Sequence, residues 1–379
     1  MNMKKVLFIL QEYTQGGITK CLENLLDFFR KTDYEIYIYS LYEDGDEYYK
    51  KVFSDYVIKK SKLYYLLHDN VYTRKVMGIY NKLMNNINFG FLYRYEASYL
   101  QKRYHFDIVV AYHEGMTVEF ASYFVETKKI TWFHCDPLVL GNHIIQQYHT
   151  YYQQMDVVVG VSSVVKKSLL ELMPQLEGKI CVIHNLLDIK LIKKRSEHPI
   201  TNYPKVNEYA FNILSIGRSN KVKQFEKIPI IMRKILDKGI DFVHWYIISS
   251  GSDCDKEINK AITENGVGNY IHMLGEKDNP YPYIKHSNLL VSTSYSEAFP
   301  TVINEAQALG VPVLANNYPS ASEIISSGCG YICPLKDMPT LICQMAKDEN
   351  GIYSLARTRV SNFDYDNYGI FTEIIKLFS

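Results

Sequence analysis

The chain has 379 residues, 47% of them hydrophobic and 22% charged, and a formal net charge of +1 from 42 Lys and Arg against 41 Asp and Glu. That balance excludes a mainly disordered chain, which lacks the apolar material for a core, and a generally basic nucleic-acid binder. The length predicts two domains or one large one, and no apolar run reaches the ~18 residues of a membrane-spanning helix.

Short apolar runs alternate with longer amphipathic ones, the pattern of parallel α/β layers. The predicted strands of the first half are Lys5–Leu10, Glu35–Leu41, Asp107–Tyr112, Ile130–Phe133, Asp156–Val161 and Ile180–His184. Those of the second half are Asn212–Ile216, Phe242–Ser249, Tyr270–Leu274, Leu289–Thr293 and Val311–Ala315. Most are continuous Val, Ile, Leu and Tyr runs, as strands covered on both faces require. Helices are predicted between them, among them Ser162–Leu172 with a serine start and Gln224–Lys238. The opening run Val6–Leu10 is too short for a signal peptide and reads as a first buried strand, so the chain is expected in the cytoplasm. Its seven cysteines show no metal-ligand spacing and read as reduced core residues. The 33 tyrosines read as a compositional habit and carry no functional weight.

The strand series runs twice. A polar break over Lys193–Tyr209, with Pro199 and Pro204, separates the halves. Two doubly wound, Rossmann-like domains of similar size are expected, and ligands of such sheets bind beyond the carboxyl ends of the strands. Two such sheets facing each other would make an interdomain cleft.

The segment Lys50–Arg103 stands apart, with eleven Lys and Arg against three acids, a net of +8. Val76, Ile79, Tyr80, Leu83, Met84 and Ile87 lie on one face of a predicted helix. The segment reads equally as a packed helix with a solvated basic face and as a patch for anionic lipid.

Four stretches could carry chemistry, each at a predicted strand end. Ser294–Pro312 follows a strand; Pro300 suits the start of a helix and Gly310 with Pro312 its end. That helix would aim its N-terminus at the sheet edge, where an anion can rest on free N–H groups. Glu297 and Glu305, with seven residues between them, suit the vicinal hydroxyls of sugars. In Ser215–Lys223, Arg218 and Lys223 put cations suited to phosphate at a strand terminus, although such clusters usually just face water. Gly16 and Gly17 permit close approach to the backbone, although a double glycine is more often a turn. His134 within Trp132–Asp136 could meet a hydroxyl or a developing charge, although a strand-end histidine is more often structural. Asp253-Cys254-Asp255 has the spacing of a metal-binding pair but reads as a turn opening a helix, so no metal is expected.

Taken together these stretches resemble the retaining nucleotide-sugar glycosyltransferases of family 4, which have the GT-B fold. Glu297–Glu305 matches that family's Glu-x7-Glu motif, and Gly217-Arg218 with Lys223 resembles its pyrophosphate-binding pair. Gly16-Gly17 resembles its glycine loop, and Val110–Gly115 with Trp132–Asp136 resembles members that build capsule and other surface polysaccharides. Ala298 stands where glycine is common, and Gln224 replaces the glycine usual after the lysine. The resemblance implies an acceptor-side domain over 1–190, a nucleotide-sugar-binding domain over 191–360 and a helix over 361–379 crossing back to the first. It implies a metal-independent hexosyltransferase with no cofactor, using a nucleotide sugar, UDP-linked by family frequency. Arg218 and Lys223 would neutralise the diphosphate; backbone groups over Ala298, Phe299, Pro300 and Thr301 would hold phosphate or sugar. Glu305 would hold the ribose, and Glu297 and His134 would act at the donor sugar. Glu114 and Gly115 would lie on the acceptor side, the acceptor being a glycan or lipid-linked; a lipid-linked glycan at the inner membrane face fits the basic segment. The rival expectation is a non-catalytic, transferase-like subunit that binds a glycan or a protein.

Overall fold

The computed structural model describes residues 3–13, 16–69, 90–200, 209–251 and 253–379. The helix expected around Val76–Ile87 lies outside them. The continuous apolar runs form strands whose neighbours all pair in parallel. The first sheet holds β1 (Lys4–Leu10), β2 (Tyr34–Ser40), β3 (Ile108–Ala111), β4 (Lys128–Phe133), β5 (Val157–Gly160) and β6 (Ile180–Val182), in the order β2-β1-β3-β4-β5-β6. The second holds β7 (Phe211–Arg218), β8 (Val243–Ser250), β9 (Ile271–Met273), β10 (Leu289–Ser292), β11 (Val313–Ala315) and β12 (Gly330–Ile332), in the order β12-β11-β10-β7-β8-β9. Strand β12 has no counterpart in the sequence expectation.

Each sheet is doubly wound. The chain leaves β1 to one side for β2 and returns to the other side for β3; in the second sheet β7 stands between β8 and β10 in the same way. The strand order thus reverses between β1 and β3 and between β7 and β10, and a crevice opens there at the carboxyl ends of the strands. Helices cover both faces, so β1 is fully buried from Val6 to Leu10. The second core is built round Trp245, Ile213, Ile247 and Leu314, closed by Met232 and Ile235 of the helix Ile228–Leu236.

The chain divides into two compact units, Met1–Leu186 with Tyr368–Ser379, and Leu187–Asn367. Chain entry and exit of the second unit are stitched by one side chain. Asn367 accepts from the Leu187 N–H at 2.9 Å and donates to its carbonyl at 2.8 Å. The closing helix, Asn367–Phe378, then packs on the first unit. Phe378 is fully buried and stacks on Phe29 at 5.5 Å, and Phe371 meets Phe28 and Phe29 at 5.4 Å. The unit boundary falls four residues before the expected 190. The returning helix starts at Asn367 rather than 361, because residues before it belong to the second unit.

Candidate functional site

In the second unit the switch point between β7 and β10 gathers most of the expected residues. Strand β7 ends on the exposed Arg218, whose Cγ lies 3.6 Å from where a Cβ on Gly251 would stand, and no group among the described residues pairs with its guanidinium. The next residue, Ser219, is fully buried and donates to the Asp255 carboxylate at 2.7 Å. Asp255 of the Asp253–Asp255 pair therefore anchors the basic loop. Among the described residues no cluster of three or more His, Cys, Asp or Glu could hold a metal.

The Lys223 side chain curls back over Gly217. A Cβ on Gly217 would lie 2.6 Å from its Cε, so a side chain there would displace the lysine from this path. Lys223 Nζ ends 2.6 Å from Glu297 Oε1, which also accepts from the Ser294 hydroxyl at 2.6 Å. Two further bonds tie the loops after β7 and β10: Thr293 donates to the Lys223 carbonyl at 2.6 Å, and the Tyr295 N–H donates to the Val222 carbonyl at 3.0 Å. Behind them, Asn316 donates to the Ser294 carbonyl at 2.9 Å and Ser320 to the Glu297 carbonyl at 2.6 Å. Burial pushes the neighbouring Tyr318 hydroxyl up, and the Glu297 charge adds to it. Gln224, where the resembled family has glycine, sits at φ 51°, ψ 37°, the left-handed region that favours glycine.

Ala298, Phe299 and Pro300 are buried and lead into the helix Thr301–Ala308. No side chain caps that N-terminus and its first turn holds no acid, so its dipole is open to an external anion. Pro300 stands at the cap position with extended backbone, one residue before the first helical turn. The helix ends into Gly310 at φ 72°, as the αL cap requires. Glu305 is buried on this helix and accepts from the Tyr281 hydroxyl at 3.4 Å. The Arg195 guanidinium lies 5.4 Å from the centre of the Tyr281 ring.

The first unit places its candidates at the ends of β1, β3 and β4. Gly16 precedes the helix Gly17–Phe29, which has no side-chain cap and no acid in its first turn. A Cβ on Gly17 would meet nothing within 4 Å, so the protein itself does not require glycine there. Glu114 reaches from the end of β3 to the end of β4, where its Oε1 accepts the N–H groups of His134 at 2.6 Å and Cys135 at 2.9 Å. Burial pushes the Glu114 carboxyl up, while these N–H groups hold it down. Gly115 turns the chain at φ 83°, and its N–H donates to the Tyr152 hydroxyl at 3.1 Å. The His134 ring lies 4.6 Å from the Tyr112 ring and 6.5 Å from that of Trp132. Both its nitrogens are shielded from solvent and have no hydrogen-bond partner among the described residues. Burial drives its pKa down to about 3, with nearby His113 adding to the effect. His113 is likewise pushed down by burial, to about 4, and its Nδ1 accepts from the Gln11 N–H at 3.4 Å. Both imidazoles are neutral at pH 7.

Residues 201–347 match the family of group 1 glycosyl transferases. The Anabaena protein Alr3699/HepE, whose crystal structure is described in complex with UDP and glucose, has the same fold. It superposes with a TM-score of 0.74 at 18% identity over 99% of each chain. The architecture is GT-B. Among relatives by sequence, the uncharacterized glycosyltransferase MJ1059 of Methanocaldococcus jannaschii is 22% identical over 56% of this chain and 55% of its own. The N-acetyl-alpha-D-glucosaminyl L-malate synthase of Bacillus anthracis is 25% identical over 52% of each. The match thus spans about half the length of these two relatives.

Sequence reasoning missed His113, Asn316, Ser320, Tyr281 as a partner of Glu305, and Asp255 as an anchor. His113 and Asp255 lie inside stretches read for other reasons, and no local motif marks Asn316 or Ser320. Asn316 and Ser320 act on backbone carbonyls 22 and 23 residues away, a relation set by the neighbouring strands.

Proposed function

We propose that this chain is a retaining, metal-independent glycosyltransferase. It moves a hexose from a nucleotide sugar, UDP-linked, to a glycan or lipid-linked acceptor in surface polysaccharide synthesis, capsule included. The observation that carries this reading is the set of charges at the switch point of the second unit. An exposed guanidinium ends β7, and the Lys223 ammonium is held by the Glu297 carboxylate, four residues ahead of the uncapped start of the helix Thr301–Ala308. A diphosphate fits that set, because it exchanges one carboxylate contact for several charge-assisted bonds.

In this reading Arg218 and Lys223 neutralise charge as the nucleoside diphosphate leaves, the part a metal plays in other transferases. Backbone groups over Ala298–Thr301 hold phosphate or sugar. Glu305 takes the ribose hydroxyls. Glu297, relieved of Lys223, turns to the donor sugar. Substitution occurs on one face of the sugar, and the leaving phosphate takes the acceptor's proton. His134, neutral and with neither nitrogen hydrogen-bonded among the described residues, acts at the sugar. Gly16 and Gly17 leave the backbone approachable.

A lipid-bearing acceptor suits the first unit's surface. Leu63, Tyr65, Leu66 and Phe91 are exposed there, and so are Lys59, Lys62 and Arg94 in the same segments. The segments that carry them meet through the Tyr64 and Tyr93 rings, 6.2 Å apart. No helix among the described residues is long and apolar enough to cross a membrane. Peripheral attachment at the inner membrane face follows from the proposal. The test is incubation with labelled UDP-sugars and a lipid-linked acceptor. Transfer of label supports it; glycan binding that needs no donor, with no transfer, replaces it by an accessory subunit.

A further inference from the structure

We propose that Glu114 is a positioning residue whose carboxylate fixes the turn carrying His134. The inference rests on the role given to His134 above. A parallel sheet satisfies backbone groups only as far as its neighbours extend, and β4 ends at Phe133. The next two N–H groups, of His134 and Cys135, point past the sheet edge. Two successive N–H groups turned the same way make a small anion-binding concavity. Glu114 Oε1 fills it at 2.6 and 2.9 Å.

Glu114 is itself held. Its neighbour Gly115 takes a backbone conformation that side chains rarely adopt and bonds to the hydroxyl of fully buried Tyr152. A Cβ on Gly115 would meet the Tyr148 ring at 3.4 Å, an ordinary contact, so the backbone angle rather than space calls for glycine there. On the other side the His113 carbonyl accepts from the Thr117 hydroxyl. The carboxylate is therefore a brace between the ends of two adjacent strands. The His134 ring, in contrast, has the Tyr112 and Trp132 rings as neighbours, and among the described residues it makes no hydrogen bond that would orient it. The brace on its backbone is the polar restraint left to set where the ring stands. This duty occupies the acid with N–H donors of the protein.

The distinguishing experiment observes the His134 ring in the full chain by NMR of labelled histidine, with His113 as an internal reference. Glu114→Ala is expected to move the His134 titration up from its depressed value toward the ordinary 6.5, with His113 little changed. Transfer should fall about tenfold to a hundredfold in kcat, with the donor KM unaffected. Glu114→Gln keeps the accepting oxygen and is expected to restore both readouts. Should the Ala variant not fold, Glu114→Asp serves, since it keeps the charge but shortens the reach by one methylene. It is expected to behave as Ala. An unmoved His134 titration in Ala or Asp overturns the proposal, and so does a Gln variant as impaired as Ala, which would assign the negative charge to substrate. The NMR readout stands even where no sugar is transferred, so failure of the glycosyltransferase reading is seen separately.

Discussion

Lys223 and Glu297, 74 residues apart in sequence, meet at 2.6 Å with only 18% and 14% of their side chains exposed. Arg218, the other cation of the loop, is exposed and has no partner among the described residues. The two cations therefore predict different phenotypes. Arg218→Ala should leave the melting temperature unchanged while weakening UDP binding by calorimetry. Lys223→Ala leaves Glu297 without its charge partner and should lower both, since stranding one member of a shielded pair is destabilising. For transfer, Arg218→Ala and Glu305→Ala should each cost about 3 kcal/mol of transition-state stabilisation, roughly a hundredfold in rate. Near wild-type turnover by both would refute the assignment.

Gly217 offers a test that leaves every charge in place. Its missing Cβ is the space in which Lys223 folds back. Gly217→Ala should push the ammonium off Glu297, because the flexible lysine gives way before the strand does. Weaker UDP binding with little loss of thermal stability is the expected result; unchanged affinity would show that the curled lysine is not the conformer the nucleotide uses.

The membrane proposal rests on exposed apolar groups set among lysines and arginines on the first unit. Each basic residue near an anionic surface contributes about 1 kcal/mol, and the attraction fades within a Debye length. Flotation with anionic vesicles at moderate salt should recover the protein, and neutral vesicles should not. Lys59→Glu with Lys62→Glu should abolish recovery, and Leu66→Ser should weaken it through lost apolar insertion. Equal recovery on neutral vesicles would turn the patch into a plain apolar surface.

The alternation of buried runs made eleven of the twelve strands among the described residues legible, and with them the doubly wound fold, because a strand covered on both faces must be apolar throughout. Strand β12 escaped because Gly330-Tyr331-Ile332 is short and half-buried and opens on a glycine, which reads as a turn. The structure shows why glycine stands there: a Cβ would lie 2.2 Å from the Val313 carbonyl of the neighbouring strand. Glu297, Arg218 and Lys223 were legible as charges at strand ends. Their mutual contact was not, since it depends on β7 and β10 being neighbours. The site in the first unit was less legible still. Glu114 reads as an acid free to face an acceptor, and only the geometry shows it spent on two backbone N–H groups.

The buried histidines tie stability to pH. His134 and His113 have folded pKa values of about 3 and about 4, below the ordinary 6.5. A group with a depressed folded pKa and a cationic acid form is neutral in the fold but takes a proton in the unfolded chain. The unfolded state then binds more protons below pH 6.5, and stability falls with falling pH until the folded pKa is reached. The buried carboxyls Glu96 and Glu114 are pushed up and act oppositely, losing stability as pH rises through their folded values. Comparing wild type with His134→Gln cancels the carboxyl contribution to first order. Between pH 6.5 and 4 the wild type should lose, relative to the variant, on the order of 3 kcal/mol in urea unfolding. A difference between the two proteins that stays constant over that range would mean that His134 titrates normally, and that its ring is open to water rather than enclosed by Tyr112 and Trp132.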